Sequence, residues 1–137
     1  MKKLLTMLSI LGLVALAGCK RGVEPPARGR QDITDHRRIF FSKTYEQQLR
    51  ESTAILEEKI TSSPSGQLTV IIPIRSAVSR TLYLEYQYEF YDAHDKRVEG
   101  PMGWTPITLE AGSPGTIQFT SMSQEARDYR LTLRFAR

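Results

Sequence analysis

Between Leu82 and Tyr91 the residues alternate without a break, with Leu82, Leu84, Tyr86, Tyr88 and Phe90 on one side and Tyr83, Glu85, Gln87, Glu89 and Tyr91 on the other. Successive side chains of a strand point to opposite faces, so this spacing gathers five large apolar groups on one face. A helix would scatter the same residues around its axis. The segment is therefore a strand with one buried side, and such a face is stable only against a second layer of structure. Asp92, Ala93, His94 and Asp95 close it with turn residues, and Val98 resumes beyond them.

The same period recurs on both sides of this strand. Leu68, Val70, Ile72 and Ile74 alternate with Thr69, Ile71, Pro73 and Arg75, and Tyr129, Leu131, Leu133 and Phe135 alternate with Arg130, Thr132, Arg134 and Ala136. Pro73 cannot donate to a ladder, so its strand needs an edge, a bulge or an unpaired N–H side at that point. Trp104, Ile107 and Leu109 are placed to pack, and Ile117 and Phe119 point inward from a strand at Thr116 to Thr120. Turn compositions stand at 62–66, 92–95, 100–103 and 111–115. Short strands divided by turns about every ten residues predict an all-β fold, an antiparallel immunoglobulin-like β-sandwich. Tyr86, Tyr88, Phe90, Trp104, Phe119, Tyr129 and Phe135 are assigned to its core.

The folded part begins near Arg38 with the apolar run Ile39 to Phe41. Thr44, with Gln47 three residues on, resembles a capping box. Tyr45, Leu49, Leu56 and Ile60 fit a helical spacing, while Ala54, Leu56 and Ile60 also fit a two-residue alternation. The reading adopted is a short helical turn followed by a strand.

The chain opens with MKKLLTMLSILGLVALAGC, two lysines and an apolar run from Leu4 to Ala17 of roughly 14 residues. A membrane span needs about 20, so the run fits a secretory signal instead. It ends in Leu16, Ala17, Gly18 and Cys19, which resembles a bacterial lipobox. Cleavage between Gly18 and Cys19 and lipidation of Cys19 are expected, with diacylglycerol on sulfur and a further acyl chain such as palmitate on the amine. Each buried methylene contributes about 0.8 kcal/mol, so three chains anchor effectively permanently. With one cysteine in the chain, no intrachain disulfide is possible. By resemblance to known lipoprotein sorting, Lys20 after the cysteine, in place of an aspartate, implies delivery to the periplasmic face of the outer membrane.

Residues 19–35 then read as the lipidated cysteine and a flexible tether, KRGVEPPARGRQDITD after Cys19, too poor in apolar residues to offset its ordering entropy. At roughly 3 Å per residue it reaches up to about 50 Å. The division expected is a signal at 1–18, a tether at 19–35 and a sandwich domain at 36–137. The formal charge is +4, but with Lys2 and Lys3 in the leader 17 basic residues face 15 acidic ones. That near balance gives no footing for a nucleic-acid partner.

Chemistry-bearing constellations are sparse. His36 lies in the tether, and His94 stands in a turn beside Asp92 and Asp95, better read as a polar turn than as a metal site. No nucleophile elbow, P-loop or zinc spacing occurs. Glu85 and Glu89 stand about 13 Å apart at strand rise, too far for a glycosidase pair. The chain is thus expected to be no enzyme and to need no cofactor or metal. What remains is a candidate interaction surface of Tyr83, Glu85 and Glu89 on the long strand with Arg130 and Arg134 on the last one. The arginines could fork onto an anionic partner. The simpler reading is that they protect a terminal edge strand, neutralised by Glu85 and Glu89 across the sheet.

Three stretches carry a resemblance to a known family: LEYQYEFYD at 84–92, Trp104 with Ile107 to Leu109, and EARDYRLTLR at 125–134. Over roughly residues 40 to 136 the chain resembles the YcfL-like family of small bacterial lipoproteins of uncharacterised function. The family commonly has asparagine where Ser76 stands, tryptophan at Phe90 and glycine at the turn near Asp95. Aspartate tolerates a left-handed backbone better than most residues, so the turn is expected to survive. The resemblance implies a fold and an envelope location and supplies no reaction. The function expected is a non-enzymatic, membrane-anchored lipoprotein whose sandwich binds or assembles a periplasmic protein, or alternatively a peptidoglycan or glycan-binding module.

Overall fold

The computed structural model of the chain describes residues 37–137. The signal at 1–18, Gly18 and Cys19, the tether and His36 lie outside the described residues. The two strongest alternations form the centre of two sheets. β5 (Leu82–Tyr91) is flanked by β9 (Asp128–Phe135) on one side and, on the other, by β7 (Thr105–Leu109) and β6 (Arg97–Glu99) in succession. β4 (Leu68–Ser76) is flanked by β8 (Pro114–Thr120) on one side and by β2 (Thr53–Ile55) and β3 (Lys59–Ser62) on the other. β1 (Ile39–Phe41) lies beside β9, and a 3-10 turn (Lys43–Tyr45) runs into the helix α1 (Glu46–Ser52).

Pairing of β4 with β8 and of β5 with β9 interleaves the two sheets as the B–E and C–F pairs of an immunoglobulin-like sandwich do. The arrangement departs from a purely antiparallel one. The place beside β9, where a final antiparallel strand would run, is taken by β1 from the start of the domain, and β1 pairs parallel, Ile39 opposite Leu131 and Phe41 opposite Leu133. A parallel pair needs a long crossover connection, and here everything from α1 to β8, the whole of the second sheet included, lies between the two strands. A three-residue apolar run carries no signal of direction. β9 is consequently an interior strand, so its arginines do not protect an edge as expected.

The inward faces meet in one core. Val70, Ile72 and Ile74 of β4, Leu84 and Phe90 of β5, Ile117 of β8, and Tyr129, Leu131 and Leu133 of β9 are fully buried. Each such side chain contributes about 1.5–3 kcal/mol relative to exposure. Phe119 links the layers. It stacks on Tyr88 with centroids 4.2 Å apart, and meets Phe90 and Tyr129 edge-on at 5.6 and 5.5 Å. Leu49 docks the helix on this core.

Several local expectations resolve here. Pro73 faces the gap between β2, whose pairing ends at Ile55 opposite Ile74, and β3, whose pairing begins at Lys59 opposite Ile71. Its missing N–H therefore breaks no ladder bond, while its carbonyl accepts from the Leu56 N–H at 2.9 Å. Asp95 adopts φ 60, the left-handed turn. Gly100 has φ +90, and a Cβ there would meet the Tyr88 carbonyl at 2.9 Å. The capping box does not form. Thr44 falls inside the 3-10 turn, Tyr45 precedes α1, and no side chain caps either start. Trp104 lies outside the core and packs on the outer face of the first sheet, while Tyr86, Tyr88 and Phe135 are only partly buried.

Candidate binding groove and the outer face of the long strand

The outer face of β5 carries the charges that the alternation placed there, and the register sets Glu85 opposite Arg134 and Glu89 opposite Arg130. Only the first pair bonds directly. Arg134 Nε donates to Glu85 Oε2 at 2.7 Å, both side chains are about one-fifth exposed (20% and 21%), and the guanidinium lies 3.7 Å from the Trp104 ring. Stacking and ion pair together fix the plane of that guanidinium.

Arg130 turns away from Glu89. Its Nη2 donates to Asp95 Oδ1 at 3.0 Å, and its guanidinium covers the Tyr91 ring at 4.3 Å. Glu89 instead accepts from Arg97 at 3.2 Å and from the Tyr91 hydroxyl. Tyr91 is therefore buried under Arg130, and burial, then its bond to Glu89, pushes its phenol pKa up. Tyr83, at the other end of β5, is 65% exposed. The sequence-derived surface thus splits in two: Arg130, Asp95, Tyr91, Glu89 and Arg97 form one closed cluster, and Glu85, Arg134, Trp104 and Tyr83 another.

The first cluster adjoins the point where the chain enters the domain. Arg38 bonds both Asp128 at the start of β9 and Glu58 between β2 and β3, the latter at 2.7 Å, so it links the two sheets. The Tyr129 hydroxyl donates to the same Glu58 carboxylate. Burial opposes the charge of Arg38, but Asp128 and then Glu58 outweigh it and hold its pKa above the usual value. In the nearby turn, Asp92 Oδ1 accepts from the Lys96 N–H at 3.0 Å and the His94 N–H at 2.8 Å, and these bonds hold its carboxyl below the ordinary range. The turn is a hydrogen-bonded loop, as its composition indicates. Among the described residues no group of three or more His, Cys, Asp or Glu could hold a metal.

The second cluster opens into a groove of about 780 Å3 over the far half of β9. Tyr45, Tyr83, Trp104 and Phe135 line it with aromatic rings, Tyr45 meeting Phe135 edge-on at 5.8 Å. Arg80, Arg134 and Arg137 also line it, with Ser42, Thr44, Thr81, Thr132 and Gln48 as the polar neutral residues. No carboxylate side chain belongs to the lining. Ser76, where the resemblance sets an asparagine, is fully buried, and its hydroxyl contacts the Val78 and Arg80 carbonyls at 3.0 Å each. The position is polar because it holds the loop that presents Arg80. The sequence points to Tyr83, Glu85 and Arg134, and to Arg137 as a further arginine at the end of the last strand, but not to Arg80 or Tyr45. Those two come from the β4–β5 loop and the 3-10 turn, which no local spacing connects to β9.

Comparison with known proteins places this geometry in a family. The profile described as "Protein of unknown function (DUF1425)" matches residues 42–135. The chain is similar in structure to Campylobacter jejuni cj0090, with a TM-score of 0.61 and 13% identity over 74% of this chain and 100% of that one. It is similar also to a DUF1425 family member from Shewanella sp. pv-4, with a TM-score of 0.55 and 20% identity over 61% of this chain and 78% of that one. At these identities the two structures share the fold. The comparison with curated proteins gives no match.

Proposed function

This chain belongs to the DUF1425 family, described as of unknown function, and from that premise we propose that it is a non-enzymatic binding module of the bacterial envelope, of the YcfL-like kind. In this reading Cys19 carries the lipid that holds it at the periplasmic face of the outer membrane, and residues 19–35 are the tether. The sandwich presents its groove to an envelope component, a periplasmic protein or the cell wall.

The observation that carries the reading is the placement of the groove. The chain enters at Arg38, clasped to Asp128 at the start of β9, whereas the groove is built around Arg134 and Phe135 at its end. At about 3.3 Å per residue these points are roughly 20 Å apart. A domain tethered at one end of a strand exposes the other end to whatever lies beyond the membrane. The test is photo-crosslinking in cells, with the crosslinking residue at Tyr83 in the groove or at His94 in the turn at the entry end. A discrete adduct from Tyr83 and none from His94 is expected; equal patterns, or none from Tyr83, reject the groove as the binding face.

A further inference from the structure

We infer that the groove between the 3-10 turn and the end of β9 is a site for a carboxylate-bearing saccharide, an inference that rests on reading the groove as the binding face. Its size is the first argument. About 780 Å3 falls within the roughly 300–1,000 Å3 of small-ligand pockets, whereas a folded protein partner generally covers a flatter patch of about 800 Å2 on each side.

Its charge is the second. Three arginines, Arg80, Arg134 and Arg137, and no Asp or Glu are among the residues that line the groove. Glu85 engages Arg134 only through Nε, so both terminal nitrogens lack a protein hydrogen-bond partner among the described residues. Among the described residues neither Arg80 nor Arg137 forms an ion pair. A guanidinium whose plane is fixed by Trp104 and whose outer fork is open suits a carboxylate, which accepts two parallel N–H bonds.

The third argument is the mixture of walls. A sugar ring has an apolar C–H face and a rim of hydroxyls. Tyr83 and Tyr45, 65% and 52% exposed, offer aromatic surfaces for the face. The hydroxyls of Thr44, Thr81 and Thr132 and the Gln48 amide offer both donors and acceptors for the rim. An acidic peptide would use the arginines and could pair its backbone with the hydroxyls, but its Asp and Glu side chains have no apolar ring face to lay on the two tyrosines.

Trp104 is the only tryptophan of the chain and stands in the groove, so its emission reports occupancy directly. The full chain, solubilised in detergent, is titrated with three probes: the disaccharide of N-acetylglucosamine and N-acetylmuramic acid, neutral chitobiose, and hexaglutamate. The expected result is a saturable change with the acidic disaccharide, at least tenfold weaker binding of the other two, and at least tenfold loss in Arg80→Ala and Tyr83→Ala, both solvent-facing changes. Circular dichroism of each variant checks the fold, and isothermal calorimetry repeats the titration without relying on the indole. Equal affinity for chitobiose overturns the carboxylate requirement, tighter binding of hexaglutamate makes the ligand a peptide, and no saturable binding of any probe overturns the inference. The crosslink from Tyr83 in cells judges the groove separately, so a wrong ligand class and a wrong face are told apart.

Discussion

Arg134 shows how one side chain can serve the fold and still remain available to a ligand. Its Nε is committed to Glu85 and its face to Trp104, while the outer edge of the guanidinium faces the groove. Because the Glu85 pair keeps about one-fifth of its surface in water, screening limits its worth, and Glu85→Ala should cost about 1 kcal/mol. Leu84, adjacent in sequence and fully buried, is a different case: Leu84→Ala should cost about 2–5 kcal/mol. Urea melts of the two variants measure the contrast, and equal costs would mean that the inner and outer faces of β5 are misassigned. Asp92 adds a pH dependence of known sign. Backbone N–H groups of Lys96 and His94 hold its carboxyl below the ordinary range, so its stabilising contribution is present above the unfolded value near 3.9 and lost as pH falls through the lowered folded one. The melting temperature of Asp92→Ala should lie below that of the wild type at pH 7, and the gap should close as pH drops below about 4. A gap unchanged at pH 2 would show that the charge of the carboxylate does not hold the turn.

At the scale of elements, period-two alternation exposed what local sequence can encode. β4, β5 and β9 were legible because each carries its buried face in its own residues, and the cross-strand meeting of Glu85 with Arg134 followed from the two outer faces. Pro73 was legible as a constraint, although its solution, a gap between β2 and β3, depends on where two other strands stop. Three features were not legible. Trp104 precedes β7 and folds outward because a guanidinium awaits it there, and nothing within its own neighbourhood distinguishes that from a core position. The groove joins four segments between Ser42 and Arg137, each about 20 to 30 residues from the next, so no window contains it. β1 is too short for its pattern to state a partner, yet its position is the one that makes β9 interior. Ile39 is buried, Arg38 accepts from the Leu131 N–H at 2.8 Å, and the Ser42 N–H donates to Leu133 at the same distance. Ile39→Ala should therefore destabilise the domain by about 2–5 kcal/mol. Hydrogen exchange should show the Leu131 amide losing more protection than the strand pair β4–β8. Uniform loss across both sheets would mean that β1 does not open as a separate unit.

For the whole molecule, the decisive relation is between a domain that closes its core within residues 37–137 and an anchor proposed at Cys19. The described core is built from members of both sheets packed on one another, among them Val70 and Ile72 of β4, Leu84 of β5 and Leu131 of β9. Anchoring and folding should then separate cleanly. If Cys19 is the anchor proposed above, Cys19→Ala removes the acyl acceptor and the cleavage motif together, so the variant should accumulate as an unprocessed or soluble form. A soluble fraction should nevertheless melt within a degree or two of the detergent-solubilised wild type, since surface attachment contributes nothing to packing of β4, β5, β8 and β9. Detergent phase partitioning with mass spectrometry of the amino-terminal peptide checks the first half, and calorimetry of the two forms checks the second. An unmodified Cys19 in the wild type would remove the anchor from the proposal. A collapsed melt in the variant would mean instead that the leader or tether packs on the domain. The groove would bear on that outcome too, since the tether proposed at residues 19–35, with a reach of up to about 50 Å, would be long enough to occupy it. A form that melts unchanged and still binds through Tyr83 leaves the groove free for a ligand from outside the chain.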